Sequence, residues 1–125
     1  MAAVRILVDT DILIDYFNTG RYAGLLHARR TTVYYSVVTR KELLTKEGLR
    51  DTERRAIIEA LQRFRFVPVT RAIAARYARV RVQARGIERE DALIAATAIE
   101  KRLPLMTRNW RHFHRVEGLT LYTGS

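Results

Sequence analysis

The stretch Val4 to Asp15, V-R-I-L-V-D-T-D-I-L-I-D, constrains the fold more than any other part of the chain. Ile6, Leu7 and Val8 form a short, apolar, largely β-branched run, the pattern of a buried strand. The run stops at Asp9-Thr10-Asp11, and a second apolar run, Ile12-Leu13-Ile14, follows with Asp15, Tyr16 and Phe17. A strand that ends in acids and passes into an apolar helix starts an α/β unit. In open α/β sheets the binding site lies beyond the carboxyl ends of the strands. Asp9 falls at that lip. It serves either as a turn or cap residue at the start of the helix, or as part of a metal or acid–base site. The second role requires other acids at the same edge.

The 125 residues fit one domain, 1–125, with 48% hydrophobic residues. A chain of this length buries roughly two-thirds of its unfolded surface around a single core. No run of about twenty apolar residues marks a spanning helix. The N-terminal residues lack the long apolar core and small-residue cleavage site of a secretion signal. Cysteine is absent, which excludes disulfides, zinc–thiolate sites and thiol nucleophiles. The expectation is a cytoplasmic protein with no membrane partner.

The net charge is +10, from 23 basic and 13 acidic residues, and the only lysines are Lys41, Lys46 and Lys101. High-GC codon usage accounts for arginine over lysine, but not for the sign of the imbalance. A basic surface dominated by guanidinium forks points to a polyanion, either nucleic acid or an acidic protein segment.

Along the chain, Gly20 ends the first helix, and Arg21 to Arg30 reads as a second. Thr32 to Val38 reads as the second strand. Thr39 is then an N-cap with Glu42 at capping-box spacing, opening a helix that runs to about Glu47 before Gly48. Asp51 opens another helix, and Phe66 to Val69 is a third strand whose Pro68 suggests an edge position. Thr70 caps a long helix to about Arg85, with Ile73, Tyr77, Val80 and Ala84 as its inner stripe. An alanine-rich helix follows from Asp91 to Arg102, then a brief strand from Leu103 to Met106. Leu119 to Tyr122 is a candidate terminal strand. Short strands alternating with helices give a parallel sheet covered on both faces.

On this scaffold Glu42, in the first turn of its helix, and Asp91, at the start of another, face the same edge as Asp9. Asn109 follows the strand that ends at Met106. Two carboxylates about 4 Å apart repel by roughly 4 kcal/mol at an effective dielectric near 20. A divalent ion removes that cost, and oxygen-only ligands suit Mg²⁺ or Mn²⁺. Such an ion polarises a phosphodiester and activates water. Each acid also has a purely structural role open to it, Glu42 in a capping box and Asp91 on a helix dipole.

These segments resemble a PIN domain and, within that family, a VapC-type toxin of a toxin–antitoxin pair. The resemblance rests on V-D-T-D-I-L-I-D at 8–15, S-V-V-T-R-K-E-L-L at 36–44, D-A-L-I-A-A-T-A-I at 91–99, T-R-N-W-R-H-F at 107–113 and G-L-T-L at 118–121. It implies a three-layer α/β/α fold with a parallel sheet of four to five short strands. It also implies an endoribonuclease dependent on Mg²⁺ or Mn²⁺, a homodimer, and an antitoxin partner that reaches into the groove. Asp9, Glu42 and Asp91 become the catalytic acids. Asp9 and Asp91 become direct metal ligands, and Glu42 binds through water or activates the attacking water. Thr10 and Thr107 hold polar groups or waters at the same lip.

Two positions depart from the family pattern. Position 11, usually Asn or Ser, is Asp11, and the usual fourth acid is Asn109. Asp11 either restores the missing charge or caps the first helix. His112 and His114 lack evident metal partners and read as surface or RNA-facing; Trp110 reads as a base-stacking or packing residue. Competing functions are a PIN-like module that binds RNA or antitoxin without cutting, a stand-alone RNA-processing nuclease, and a phosphatase built on the D-x-D of Asp9 and Asp11. The phosphatase needs a longer chain, a downstream lysine and an acid pair that are not evident here.

Overall fold

A computed structural model describes residues 2–124. The chain opens with strand β1 (Val4–Val8), helix α1 (Thr10–Thr19) and a single turn of helix, α2 (Ala23–Leu26). Strand β2 (Thr31–Ser36) leads into helices α3 (Val37–Leu44) and α4 (Asp51–Leu61). The second half holds β3 (Arg65–Val67), α5 (Arg71–Gln83), α6 (Arg89–Lys101), β4 (Leu105–Met106) and the short α7 (Trp110–Phe113).

All four strands are parallel, in the order β3-β2-β1-β4. The first strand of the chain is therefore internal. Ile6, Leu7 and Val8 are wholly buried because helices cover both faces of the sheet. Successive side chains of a strand point to opposite faces. Leu7 joins a core with Ile73 and Val80 of α5, the alanines of α6, Leu105 and Phe113. Ile6 and Val8 join a second core with Ile12 and Leu13 of α1, Val33, Leu61 of α4 and Met106. Helix α3 reaches both, with Val38 in the first and Leu43 in the second. The result is the expected three-layer α/β/α arrangement. The proline-flanked strand β3 sits at the edge, and Pro68 lies just outside it.

Several local expectations give way to the structure. Only Ala23–Leu26 of the expected helix over Arg21 to Arg30 is helical. Tyr22 at φ 70° precedes it and Gly24 sits within it. A turn from Ala28 to Thr31 then redirects the chain into β2. The second strand stops at Ser36, whose hydroxyl accepts from Thr39 N–H at 3.3 Å and so starts α3 at Val37, inside the β-branched run that extends to Val38. A side-chain cap outweighs the weak strand preference of Val37 and Val38.

Thr39 is therefore not the cap, and Glu42 lies in the second turn of α3 rather than the first. That helix ends at Leu44, where the Thr45 hydroxyl donates to the Lys41 carbonyl, short of the expected Glu47. Leu119 to Tyr122 supplies only a bridge from Leu121 to Leu105, so the sheet has four strands among the described residues. The helices from Asp51 and from Thr70 fall where the sequence places them.

Candidate active site

The site is built from the carboxyl end of β1 outward. Asp9 is the N-cap of α1: its Oδ1 accepts from Thr10 N–H at 2.8 Å. Its own N–H donates to the Met106 carbonyl at 2.9 Å, fixing it between β1 and β4. The Thr107 hydroxyl donates to Asp9 Oδ2 at 2.7 Å and accepts from Asn109 N–H at 3.0 Å. Asp9 is therefore at once a helix cap and a buried carboxylate, 6% exposed, at the base of a cleft. The two roles weighed for it in sequence coexist.

Burial, then the charge of Asp11, raises the Asp9 pKa to about 6, against the opposing hydrogen bonds from Thr107 and Thr10. The charge of Glu42 adds to the rise. An acid held this far above its ordinary range is under electrostatic load that a cation would relieve.

Glu42 comes to this cleft from α3. The Thr10 hydroxyl donates to Glu42 Oε1 at 2.6 Å, and Thr10 Oγ1 also lies 3.0 Å from Thr39 Oγ1. One hydroxyl has one proton. With that proton on the carboxylate contact, the fully buried Thr39 donates to Thr10. A relay Thr39–Thr10–Glu42 thus fixes one oxygen of Glu42 and leaves Oε2 free.

Asp91 arrives from the first turn of α6. Burial and then the charge of Asp9 raise its pKa, while His112 lowers it. Its Oδ2 lies 3.2 Å from His112 Nδ1, a contact between α6 and α7. Asp11 is not the cap of α1; it lies one residue inside the helix, where its Oδ2 accepts from Arg108 N–H at 3.0 Å. Its Oδ1 is buried with no hydrogen-bond partner among the described residues, and its pKa is raised, first by burial. Arg108 also donates through Nη1 to Asp15 Oδ2 at 2.9 Å.

These side chains line one open cleft of about 840 Å³. Asp9, Thr10, Asp11, Glu42, Asp91 and Asn109 all contribute to its wall. Thr107 stands behind Asp9 as a hydrogen-bond donor rather than on the cleft surface. Six of the chain's 13 acids line this one cleft, two of them Glu88 and Glu90, so the centre is negative within a strongly positive molecule.

The donor set is all oxygen, and a buried carboxylate oxygen lacks a partner; both fit a hard divalent cation. Among the described residues no three Asp, Glu or His side chains already close into a metal cage.

The sequence reading missed two parts of this site. Thr39 and Ser36 were assigned to a cap and a strand, yet they build the polar floor. His112 is exposed, as the sequence suggests, but its contact with Asp91 is not legible there. The T-R-K-E spacing carried a capping signal that competed with the Thr39 relay. Nothing local to H-F-H marks the His112 contact.

Comparison with known proteins follows the same lines. The PIN-domain family profile matches residues 6–119. "Ribonuclease VapC1" of Methanocaldococcus jannaschii is 31% identical, over 94% of this chain and 87% of its own length. "Ribonuclease VapC10" of Mycobacterium tuberculosis is 39% identical, over 91% and 90%. A toxin–antitoxin complex from Klebsiella pneumoniae superposes with a TM-score of 0.77 at 32% identity, covering 92% of this chain and 95% of that one. VapBC2 from Rickettsia felis, bound to a promoter DNA fragment, shares the fold with a TM-score of 0.84 at 22% identity, over 98% and 100%. With the strand order, the cleft at the carboxyl edge and these relatives agreeing, the chain belongs to the PIN-domain family and groups within it with the VapC proteins.

Proposed function

We propose that this chain is an endoribonuclease that hydrolyses RNA phosphodiester bonds with Mg²⁺ or Mn²⁺, and that it is the toxin of a toxin–antitoxin pair. The observation that carries this reading is the convergence of Asp9, Glu42 and Asp91, from three separate elements, on one acidic cleft in a +10 chain. The ribonuclease names of the VapC relatives support the reaction, and the Klebsiella complex supports the partner.

Asp9 and Asp91 are the direct metal ligands in this reading. When bound, the cation neutralises the carboxylates, polarises the scissile phosphate and lowers the pKa of a coordinated water. Glu42 keeps one oxygen on Thr10, so its Oε2 is the atom that orients the attacking water and takes its proton. Thr107 and the Thr10 N–H hold Asp9 in one rotamer, so that the reacting groups stay fixed. The partly buried Asp11 takes the Arg108 N–H and keeps the loop of Thr107 and Asn109 against α1.

The cleft also has an apolar rim that includes Ile14 and Val69, 38% and 44% exposed. An antitoxin segment with apolar residues and an arginine suits that rim and the acids below it. Homodimer formation belongs to the same family reading and is checked by light scattering of the purified chain.

The deciding experiment incubates antitoxin-free protein with RNA in Mn²⁺, Mg²⁺ or EDTA, beside Asp9→Asn. Cleavage that needs metal and disappears with the substitution is expected. Cleavage that survives Asp9→Asn would sink the proposal. RNA bound by folded protein but never cut would favour the binding-only alternative and turn attention to Asn109.

A further inference from the structure

A second, smaller cavity of about 260 Å³ opens beside the carboxylate cleft. The two share Glu88, Asp91 and His112 in their walls, so they adjoin. Arg111 and Arg115 line the small cavity alone. Four arginines pair with a carboxylate among the described residues: Arg21 and Arg108 with Asp15, Arg50 with Glu53, and Arg76 with Glu100. Among the described residues, Arg111 and Arg115 pair with no carboxylate, although Glu88 and Asp91 line the same cavity.

Arg115 is held in place. Its Nη2 donates to the Arg85 carbonyl at 3.1 Å, and its own carbonyl accepts from Gln83 Nε2 at 2.9 Å. Gln83 Oε1 accepts from Glu117 N–H at 3.0 Å, so one α5 side chain pins both sides of this loop. The Arg111 guanidinium lies 5.5 Å from the ring centre of Trp110, which is itself 54% exposed. A hydrogen-bonded Arg115 and a solvent-facing Arg111, neither paired with a carboxylate and set next to an exposed indole, make a receptor for an anion linked to a flat apolar group.

We propose that this cavity is a phosphate subsite for the RNA strand one step beyond the scissile bond, with Arg111 and Arg115 as its donors. The inference rests on the ribonuclease reading and adds a polarity to it: the substrate leaves the acidic centre on the α6–α7 side. It also answers a charge problem. The main cleft carries six acids against Lys41 and Arg89, so it repels the backbone on either side of a metal-bound phosphate; on the α6–α7 side Arg111 and Arg115 supply the positive charge that holds the strand. An acidic protein segment is the competing occupant.

The test measures binding of single-stranded oligoribonucleotides to full-length Asp9→Asn protein, which is not expected to cut them, across a salt series in Mg²⁺. The same protein carrying Arg111→Ala and Arg115→Ala is compared with it. Each phosphate contact on a single strand contributes about 0.7 to the slope of log affinity against log salt, so the double substitution lowers the slope by about 1.4 and weakens low-salt binding about tenfold. Arg111→Lys with Arg115→Lys restores most of the slope, which a purely structural role would not require. In the active background the double alanine variant raises KM and leaves kcat close to unchanged.

An unchanged slope with folded protein overturns the subsite. So does a drop in kcat with KM intact, or RNA binding that is unaffected while affinity for an acidic peptide falls; the last result assigns the cavity to a protein partner. Failure of the parent protein to bind any RNA removes the ribonuclease reading and the subsite together. Equal binding by parent and variant removes the subsite alone.

Discussion

The floor of the cleft and its α6–α7 wall are built on opposite plans. The floor is dry. Asp9, Thr10 and Thr39 are buried, and their polar atoms are joined by contacts of 2.6 to 3.0 Å across α1, α3 and the β4–α7 loop. The wall is wet. Asp91 is half-buried, its partner His112 is largely exposed, and Arg111 and Arg115 face solvent. Burial makes an interaction strong and its loss expensive, whereas solvent screens charge on the wall. The floor therefore sets reaction geometry at a cost in stability, and the wall is free to meet a substrate at little cost.

The sharpest way to break this contrast is Asp9→Asn. In the ribonuclease reading, turnover falls by about 10³, the scale seen when one electrostatic stabiliser is removed from a reaction centre. The metal-free protein should respond in the opposite sense and become more stable at neutral pH, because a loaded carboxylate has gone. Chemical denaturation at pH 7.5 in EDTA, run beside RNA cleavage, reads both. A variant that is both inactive and destabilised would show that the cap outweighs the charge.

The pH dependence follows from the same load. Folded Asp9 titrates near 6 and unfolded Asp near 3.8, so between those values the folded state binds more protons. Stability is retained at the low end of this window and lost as pH rises through it, by about 3 kcal/mol for this one group. The raised pKa values of Asp11 and Asp91 act in the same direction. Melting temperatures in EDTA from pH 4 to 7.5 should fall across the series for the parent and fall less for Asp9→Asn.

Metal should cancel the load. Mg²⁺ or Mn²⁺ at a hundred times its dissociation constant stabilises the parent by about 2.7 kcal/mol, and chelator returns it to the starting value. Asp9→Asn should lose most of that gain. A thermal shift of equal size in both proteins would place the ion elsewhere.

Smaller effects separate floor from wall. Thr39→Val removes a fully buried hydroxyl from the Thr10–Glu42 relay and costs about 1–2 kcal/mol in denaturant unfolding. His112→Ala and Arg108→Ala remove exposed partners and change stability by about 0.5 kcal/mol or less. If His112→Ala cost as much as Thr39→Val, the distinction between the two regions would fail.

Much of this site is legible in the chain. Asp9 is recognisable because an acid at the end of an apolar strand needs a reason. Asp91 is recognisable because it falls in the first turn of an alanine-rich helix, although that helix starts at Arg89, two residues before the expected Asp91. Both facts are local. Glu42 is legible from its place just after the second strand, while its rival capping-box role with Thr39 falls away because Ser36 caps the helix and Thr39 turns inward. Asp11 shows the same limit. A cap and a charged replacement were both open to it, and the structure puts the cap on Asp9 and gives Asp11 to the Arg108 backbone.

The sequence by itself determined the α/β alternation, the buried first strand, the proline-flanked edge and the acids that end up at the carboxyl side of the sheet. Those depend on period, burial and capping within a few residues. Only the tertiary structure decided which polar group each acid meets. The bonds that fix the floor join residues 29, 32 and 98 positions apart, and a hydrogen bond survives only within a few tenths of an ångström of its ideal length. Placement to that tolerance comes from the packing of α1, α3 and β4 around one buried strand, and no local pattern encodes it.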